Sequence, residues 1–291
     1  GIPARGTELI LLEIRLPRTL LAILIGCALG TSGAALQGYL RNPLAEPGVI
    51  GISGGAGLGA VLAIHSGETS AFALALPFGG LAGALAAMLL VLLLAGQRSG
   101  SITLVLAGVA VGALATALIS AVLSLTRNPF AAVEIVFWLL GSLADRSMTH
   151  VWLSAPFIIA GLAILLRVGS SLDALTLGED AAVNLGVDLA RLRMAIVAGT
   201  ALAVGAATSV AGTIGFIGLI VPHVLRPLVG HQPSRLLAAS MLGAAVLVLG
   251  ADIVLRVVSP TGELRLGVLT ALIGTPFFLW LVIRTRQGLV P

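Results

Sequence analysis

RLPRTLLAILIGCALGTSGAALQGYLRNPLAEPGVIGISGGAG, residues 15–57, decides the fold class. From Leu16 to Leu40 the only charge is Arg18, and at 1.5 Å per residue that run outlasts roughly 30 Å of hydrocarbon. It reads as a membrane-crossing helix with arginines at both ends, Arg15 and Arg18 before it and Arg41 after it. Asn42-Pro43 stops it, because proline disfavours helical geometry in the residue before it. A second apolar run begins at Val49 and carries Gly51, Gly55 and Gly59. Glycines four residues apart let helix backbones approach closely inside lipid, where no hydrophobic force drives association.

The whole chain repeats this pattern. It has 291 residues, 58% hydrophobic and 10% charged, and a mean hydropathy of +1.13, which excludes a soluble globular domain. Walking between charged or proline-rich breaks gives about nine apolar runs: 16–40, 49–64, 72–94, 102–125, 151–166, 194–210, 214–229, 236–255 and 266–283. The second and seventh are short for a crossing, and 130–143 is shorter still, suiting a helix near one surface. Further glycine pairs at Gly26/Gly30, Gly79/Gly83 and Gly108/Gly112 spread close packing over the bundle rather than to one dimerising helix.

All 16 basic residues are arginine. Without a lysine the chain has no P-loop, kinase or Schiff-base chemistry, so it is expected not to hydrolyse ATP itself. One cysteine, Cys27, builds neither a disulfide nor a cysteine metal cluster within one copy. The arginines are spread singly, without the basic patch that nucleic acid requires. With Arg284 and Arg286 inside, nine arginines fall at inner boundaries and seven at outer ones, a weak positive-inside bias that sets the expected orientation. The one long polar insertion, DALTLGEDAAVNLGVDLARLR at 173–193, then lies inside. Leu175, Leu177, Ala182, Leu185 and Leu189 are expected on one face of one or two short helices, opposite Glu179, Asp180 and Asp188. Composition leaves both a docking segment and an ordinary interfacial helix open.

Residues 15–57 resemble the FecCD/BtuC-like permeases, the membrane subunits of binding-protein-dependent ABC importers for cobalamin, haem and iron-siderophores. LVLAGVAVG at 104–112, FWLLGSL at 137–143, LTLGEDAAVNLGV at 175–187, GTIGFIGLIVPHVLRPLVGH at 212–231 and LGVLTALIGTPFFLW at 266–280 resemble the family in the same order. The resemblance implies an all-α polytopic fold of ten helices, one transmembrane permease domain over 1–291, with about nine spans here and the family's first helix before Gly1. It implies a homodimer in the bacterial inner membrane, with two ATPase subunits that hold ATP and magnesium, and a periplasmic binding protein. This chain itself is expected to bind no cofactor. Where the family commonly has Glu-Leu-Pro before the last helix, this chain has Glu263, Leu264 and Arg265, an extra outer arginine.

Carried onto this sequence, the family's docking arginines match Arg15, Arg18 and Arg256, which would receive glutamates of the binding protein. The plainer reading is that they anchor helix ends, with Asp252 neutralising Arg256 four residues on. The cytoplasmic gate positions fall on Asn42 and Leu44, and on Ser101 and Ile102. The coupling helices match 173–193, with Leu177, Gly178, Glu179, Leu185 and Gly186 meeting the ATPase. NPLAEPG is closer to cobalamin and haem permeases than to many siderophore ones, and the resemblance favours haem or another iron chelate as cargo, with cobalamin as the alternative.

Other classes are weaker. Gly51-Ile52-Ser53-Gly54-Gly55 matches G-x-S-x-G, but a nucleophile elbow needs a preceding strand and a histidine base in reach. Gly55-x-Gly57-x-x-Ala60 lacks the βαβ unit of a dinucleotide site. His65, His150, His223 and His231 lie near span ends without metal-site spacing; His65 and His150 are candidates for transient contact with haem iron, and helix-end hydrogen bonding is the simpler role. An ion-gradient-driven secondary transporter would place ionisable groups at mid-span, and Asp252 and Glu134, both near an outer boundary, are the nearest approach to that. A membrane scaffold would not need the inner docking segment.

Overall fold

The computed structural model describes residues 9–67, 74–96, 101–259 and 264–286, all of them helical or in turns between helices. In chain order the helices are α1 (Leu16–Leu40), α2 (Ile52–His65), α3 (Ala75–Ala95), α4 (Ser101–Leu125), α5 (Pro129–Leu139), α6 (Met148–Arg167), α7 (Gly169–Leu175), α8 (Glu179–Asn184), α9 (Leu189–Ala211), α10 (Ile217–Leu225), α11 (Pro233–Val258) and α12 (Leu266–Arg286). Seven, namely α1, α3, α4, α6, α9, α11 and α12, are long and apolar enough to cross a membrane. The two short runs anticipated from sequence are the short helices α2 and α10, and the segment too short to cross is α5.

The ends of these helices follow from local chemistry. Arg41 takes a left-handed φ of 47° to close α1, and Gly96 and Gly212 end α3 and α9 at φ 66° and 74°. Asn128 caps α5 by accepting from the Phe130 N–H at 3.0 Å, and Asp188 caps α9 through the Ala190 and Arg191 N–H groups, each at 3.0 Å. Ser147 and His150 form a reciprocal cap on α6, and the His65 ring is bonded to Thr126 Oγ1 at 2.9 Å. Ser53 lies in the first turn of α2, so the G-x-S-x-G match has no elbow beneath it.

Glycine sets how closely the helices pack. A Cβ on Gly26 would lie 2.5 Å from the Ala244 carbonyl, one on Gly30 2.2 Å from that of Ser240, and one on Gly33 2.0 Å from that of Gly218. These positions run α1 antiparallel to α11 and lay α10 against α1. Gly55 and Gly59 face Gly83 and Gly79 in the same way, holding α2 antiparallel to α3, while Gly51 meets Gly108 and Gly112, so α2 runs parallel to α4. The alternation places the end of α1, the start of α2 and the start of α4 at one end of the bundle. Arg18 and Arg256 lie at the other.

Between α9 and α10 the chain leaves the helix over residues 212–216. Backbone that leaves a helix while packed inside protein needs partners for its N–H and C=O groups. Here the Ser142 N–H donates to the Ala211 carbonyl at 2.7 Å, and the Glu46 carboxylate accepts the N–H of Phe216, whose φ is 68°.

Candidate functional site

At the end of the bundle that carries Arg18 and Arg256, Asp252 on α11 is 1% exposed and binds two arginines. Arg18 Nε donates to its Oδ1 at 2.8 Å and to Oδ2 at 3.1 Å, with Nη2 2.7 Å from Oδ1; Arg256 Nη2 donates to Oδ2 at 2.5 Å. The arginines stay partly exposed, and Arg15 is exposed one turn earlier. The pairing of Asp252 with Arg256 is four residues long and readable in the sequence. Its bond to Arg18 spans 234 positions and only the antiparallel packing of α1 on α11 makes it. Two guanidiniums against one carboxylate leave a net positive end, so the self-neutralising reading covers half of the cluster. A cavity of about 190 Å³ opens beside it, lined by Arg18, Asp252, Arg256, Ser142 and Ser259 among others.

At the opposite end the NPLAEPG segment is shaped by its own side chains. Asn42 Oδ1 accepts from the Leu44 N–H at 2.9 Å, so Asn42 builds a turn of the kind asparagine commonly makes while remaining exposed itself. Leu44 is half-buried; Ile102, 74% exposed, lies in the first turn of α4, and the side chain of Ser101 is outside the described residues. Chain direction brings both pairs to the same end of the bundle.

Behind this segment is a polar node that sequence reading did not anticipate. Gln37 is buried on α1; its amide donates to the carbonyls of Ala45 at 3.3 Å, Gly218 at 3.3 Å and Leu219 at 3.4 Å, and its Oε1 accepts from Arg226 Nη2 at 2.6 Å. One side chain thereby ties α1 to the loop after it and to both ends of α10. Glu46, in the same connecting segment, reaches Phe216; burial pushes its carboxyl above the ordinary glutamate value, opposed by that N–H bond. The signal available was a polar Gln and Glu in otherwise apolar surroundings.

The insertion at 173–193 forms α7 and α8 and then the first turn of α9. It does not present one apolar face, and the expectation is corrected here: Leu175 and Ala182 are buried against the bundle, whereas Leu177 at 69% and Leu185 at 64% point outward. Each outward leucine directly precedes a glycine at positive φ. Gly178 has φ 107° and ψ 160°, a region open essentially only to glycine, and Gly186 has φ 88°. A Cβ on either would meet nothing within 4 Å, so backbone conformation and not space requires them. Asp173 anchors the pair by accepting the Ser234 N–H at 2.8 Å and Gln232 Nε2 at 3.1 Å, and Glu179 is 3.7 Å from Arg41. The two exposed leucines thus sit on turns that Asp173 and Glu179 tie to neighbouring segments.

No group of three or more histidines, cysteines or acids is placed to hold a metal among the described residues. His223 packs edge-on against Phe277 of α12 at 5.7 Å.

The model of the FecCD transport family matches residues 4–284. The chain belongs to that family. It is 41% identical to the uncharacterized ABC transporter permease protein YvrB of Bacillus subtilis, over 96% of this chain and 80% of that one. It is 38% identical to the vitamin B12 import system permease protein BtuC of Citrobacter koseri, over 98% of this chain and 85% of that one. Among solved structures it matches an inward-facing ABC transporter described as of metal-chelate type, with a TM-score of 0.88 at 34% identity, covering 98% of this chain and 90% of that one. As a FecCD-family permease it is a multi-pass membrane subunit of an ABC importer and not itself an enzyme; its partners are an ATPase and a binding protein.

Proposed function

We propose that this FecCD permease works as a homodimer in the bacterial inner membrane, a single permease domain crossing it about nine times over the described residues, and imports haem or another iron chelate. The observation that carries the reading is the pairing of two ends on one closely packed bundle: a net positive arginine cluster outside and exposed leucines on glycine-set turns inside. Arg15, Arg18 and Arg256 receive carboxylates of the binding protein, for which the guanidinium fork is the matched partner. Leu177, Gly178, Glu179, Leu185 and Gly186 meet the ATPase, which holds ATP and magnesium. Asn42, Leu44, Ser101 and Ile102 close the inner side.

ATP binding on the partner moves the coupling surface, and because glycine contacts leave α1, α10 and α11 no free volume, the movement passes to the bundle as a rigid displacement. The cavity then changes the side it faces, which is alternating access between two states. The gradient-driven alternative has less behind it: Asp252, the buried acid within a long helix among the described residues, is held by two arginines, and Glu134 is exposed on the short α5.

The test is uptake by proteoliposomes holding the permease with its ATPase, offered haem, a ferric siderophore and cobalamin with their binding proteins. ATP-dependent uptake of an iron chelate is expected. Uptake of cobalamin alone would move the cargo to the alternative, and uptake driven by an ion gradient without ATP would refute the importer mechanism.

A further inference from the structure

Beside the Asp252 cluster, the same end of the bundle holds two more arginines that its hydrogen bonds do not account for. Arg265, which precedes α12, lies over the Phe137 ring at 5.1 Å and donates from Nη1 to Ser142 Oγ at 3.4 Å. Its Nε is buried with no acceptor among the described residues. Arg146, in the turn between α5 and α6, is in the same condition: its Nε is buried without a partner, and among the described residues it forms no ion pair. The two arginines feel each other's charge; burial and Arg265 weaken the hold of Arg146 on its proton, offset by the exposed neighbour Asp145. Both arginines are only partly buried, so each keeps a solvent-facing part while its buried Nε–H goes without an acceptor, which costs stability.

The backbone holds this arrangement in place. The Gly267 N–H donates to the Gly141 carbonyl at 3.3 Å, the Ser142 N–H to Ala211, and a Cβ at Gly141 or Gly267 would meet the Thr213 carbonyl at 2.3 or 2.5 Å. Ser142 is the link to the neighbouring cluster, since it takes the Arg265 bond and also lines the 190 Å³ cavity shared by Arg18 and Arg256. Taken together, these two groups and the neighbour Asp145 carry Arg18, Arg146, Arg256 and Arg265 against Asp145 and Asp252: four minus two leaves +2 in each chain. Arg256 adds a third buried Nε without an acceptor.

We propose that Arg146 and Arg265 form a second acceptor position of the docking face, taking an acidic side chain of the binding protein next to the Arg18–Asp252–Arg256 cluster. The proposal rests on the docking reading above and extends it to a chain-specific residue, Arg265. A carboxylate that meets the part of each guanidinium left open to solvent supplies the ion pair neither arginine forms among the described residues and offsets their mutual repulsion, while the Phe137 ring holds the Arg265 plane in place.

The experiment measures the Kd of the binding protein for the permease–ATPase complex in zwitterionic nanodiscs, at low and moderate salt, for Arg146→Gln, Arg265→Gln, their double variant and Arg265→Lys. An unchanged elution profile and unfolding midpoint establish that each variant is folded. The double variant is expected to weaken docking by roughly tenfold and to flatten its salt dependence, with Arg265→Lys retaining part of the affinity. A Kd within twofold of the parent overturns the proposal, as does a loss that appears only when anionic lipid is present, which would assign the pair to headgroups. Arg15→Gln with Arg18→Gln, run in parallel, separates the two levels: loss there without loss in the Arg146 and Arg265 variants defeats this proposal alone, and the reverse defeats the assignment of Arg15 and Arg18.

Discussion

Replacing Gly178 by alanine isolates the coupling surface from everything else in the fold. At φ 107° and ψ 160° the residue occupies a region in which an L side chain costs about 1–3 kcal/mol, and no atom lies within 4 Å of the added methyl to add a steric contribution or relieve one. The whole effect must therefore pass through the turn that presents Leu177 and Leu185. If the ATPase binds that turn in the geometry seen here, the strain appears as weaker association, about 5- to 150-fold for that range. Gly250 is the internal control: it is exposed on α11 and open to a Cβ, but it is helical, so alanine there is expected to stabilise by about 0.5–1 kcal/mol. The same chemical change thus has opposite signs at the two positions. ATPase retention on immobilised permease reports association, and hydrogen exchange over residues 176–188 reports whether the turn has loosened. Wild-type retention and exchange in Gly178→Ala would refute the reasoning, because either the conformation would not matter for coupling or the turn would not be held in it.

Asp252→Asn removes the carboxylate shared by Arg18 and Arg256 and leaves two partly buried guanidiniums facing an uncharged amide; a loss of about 3 kcal/mol is expected as a lower unfolding midpoint in detergent, and a change under about 0.5 kcal/mol would contradict the geometry. Gly33→Ala puts a methyl 2.0 Å from the Gly218 carbonyl, where backbone cannot yield as a side chain would, so a loss of about 3 kcal/mol or failure to assemble is expected in a thermal unfolding series. Glu46 holds its proton more tightly in the folded chain than in the unfolded one, so its contribution to stability is fully present below the ordinary glutamate value and is lost as pH rises through the raised one. Unfolding midpoints followed from about pH 4 to about pH 8 should fall for the parent across that window and stay flatter for Glu46→Gln; parallel curves would place Glu46 outside the linkage.

Much of the membrane architecture was legible before any coordinates. The run from Leu16 to Leu40 needs only its length and lack of charge to read as a crossing, because hydrocarbon tolerates nothing else. The glycine pairs marked where backbones meet, and Gly26 and Gly30 do touch α11, but no period in the sequence named the partner helix. At the candidate sites the residues were identifiable by type and by resemblance, whereas their arrangement was not. Leu175 and Leu177, two positions apart on an expected apolar face, end up one buried and one exposed, because α7 ends at Leu175 and Leu177 falls in the turn before Gly178, so the two share no helix face. Gln37 carried no motif at all.

What the sequence determined alone is therefore what depends on solvent and on neighbours along the chain: helices of a given length, their breaks at proline and glycine, and a lipid surround, all fixed by transfer free energy and local backbone sterics. What the tertiary structure decided is which charges share a partner. Arg18 reaches Asp252 across 234 residues, Arg226 reaches Gln37 across 189, and Phe216 reaches Glu46 across 170, because antiparallel helices packed through glycine bring distant segments to one depth. Electrostatics and hydrogen bonding act over a few ångströms in space, and sequence separation carries no record of that distance.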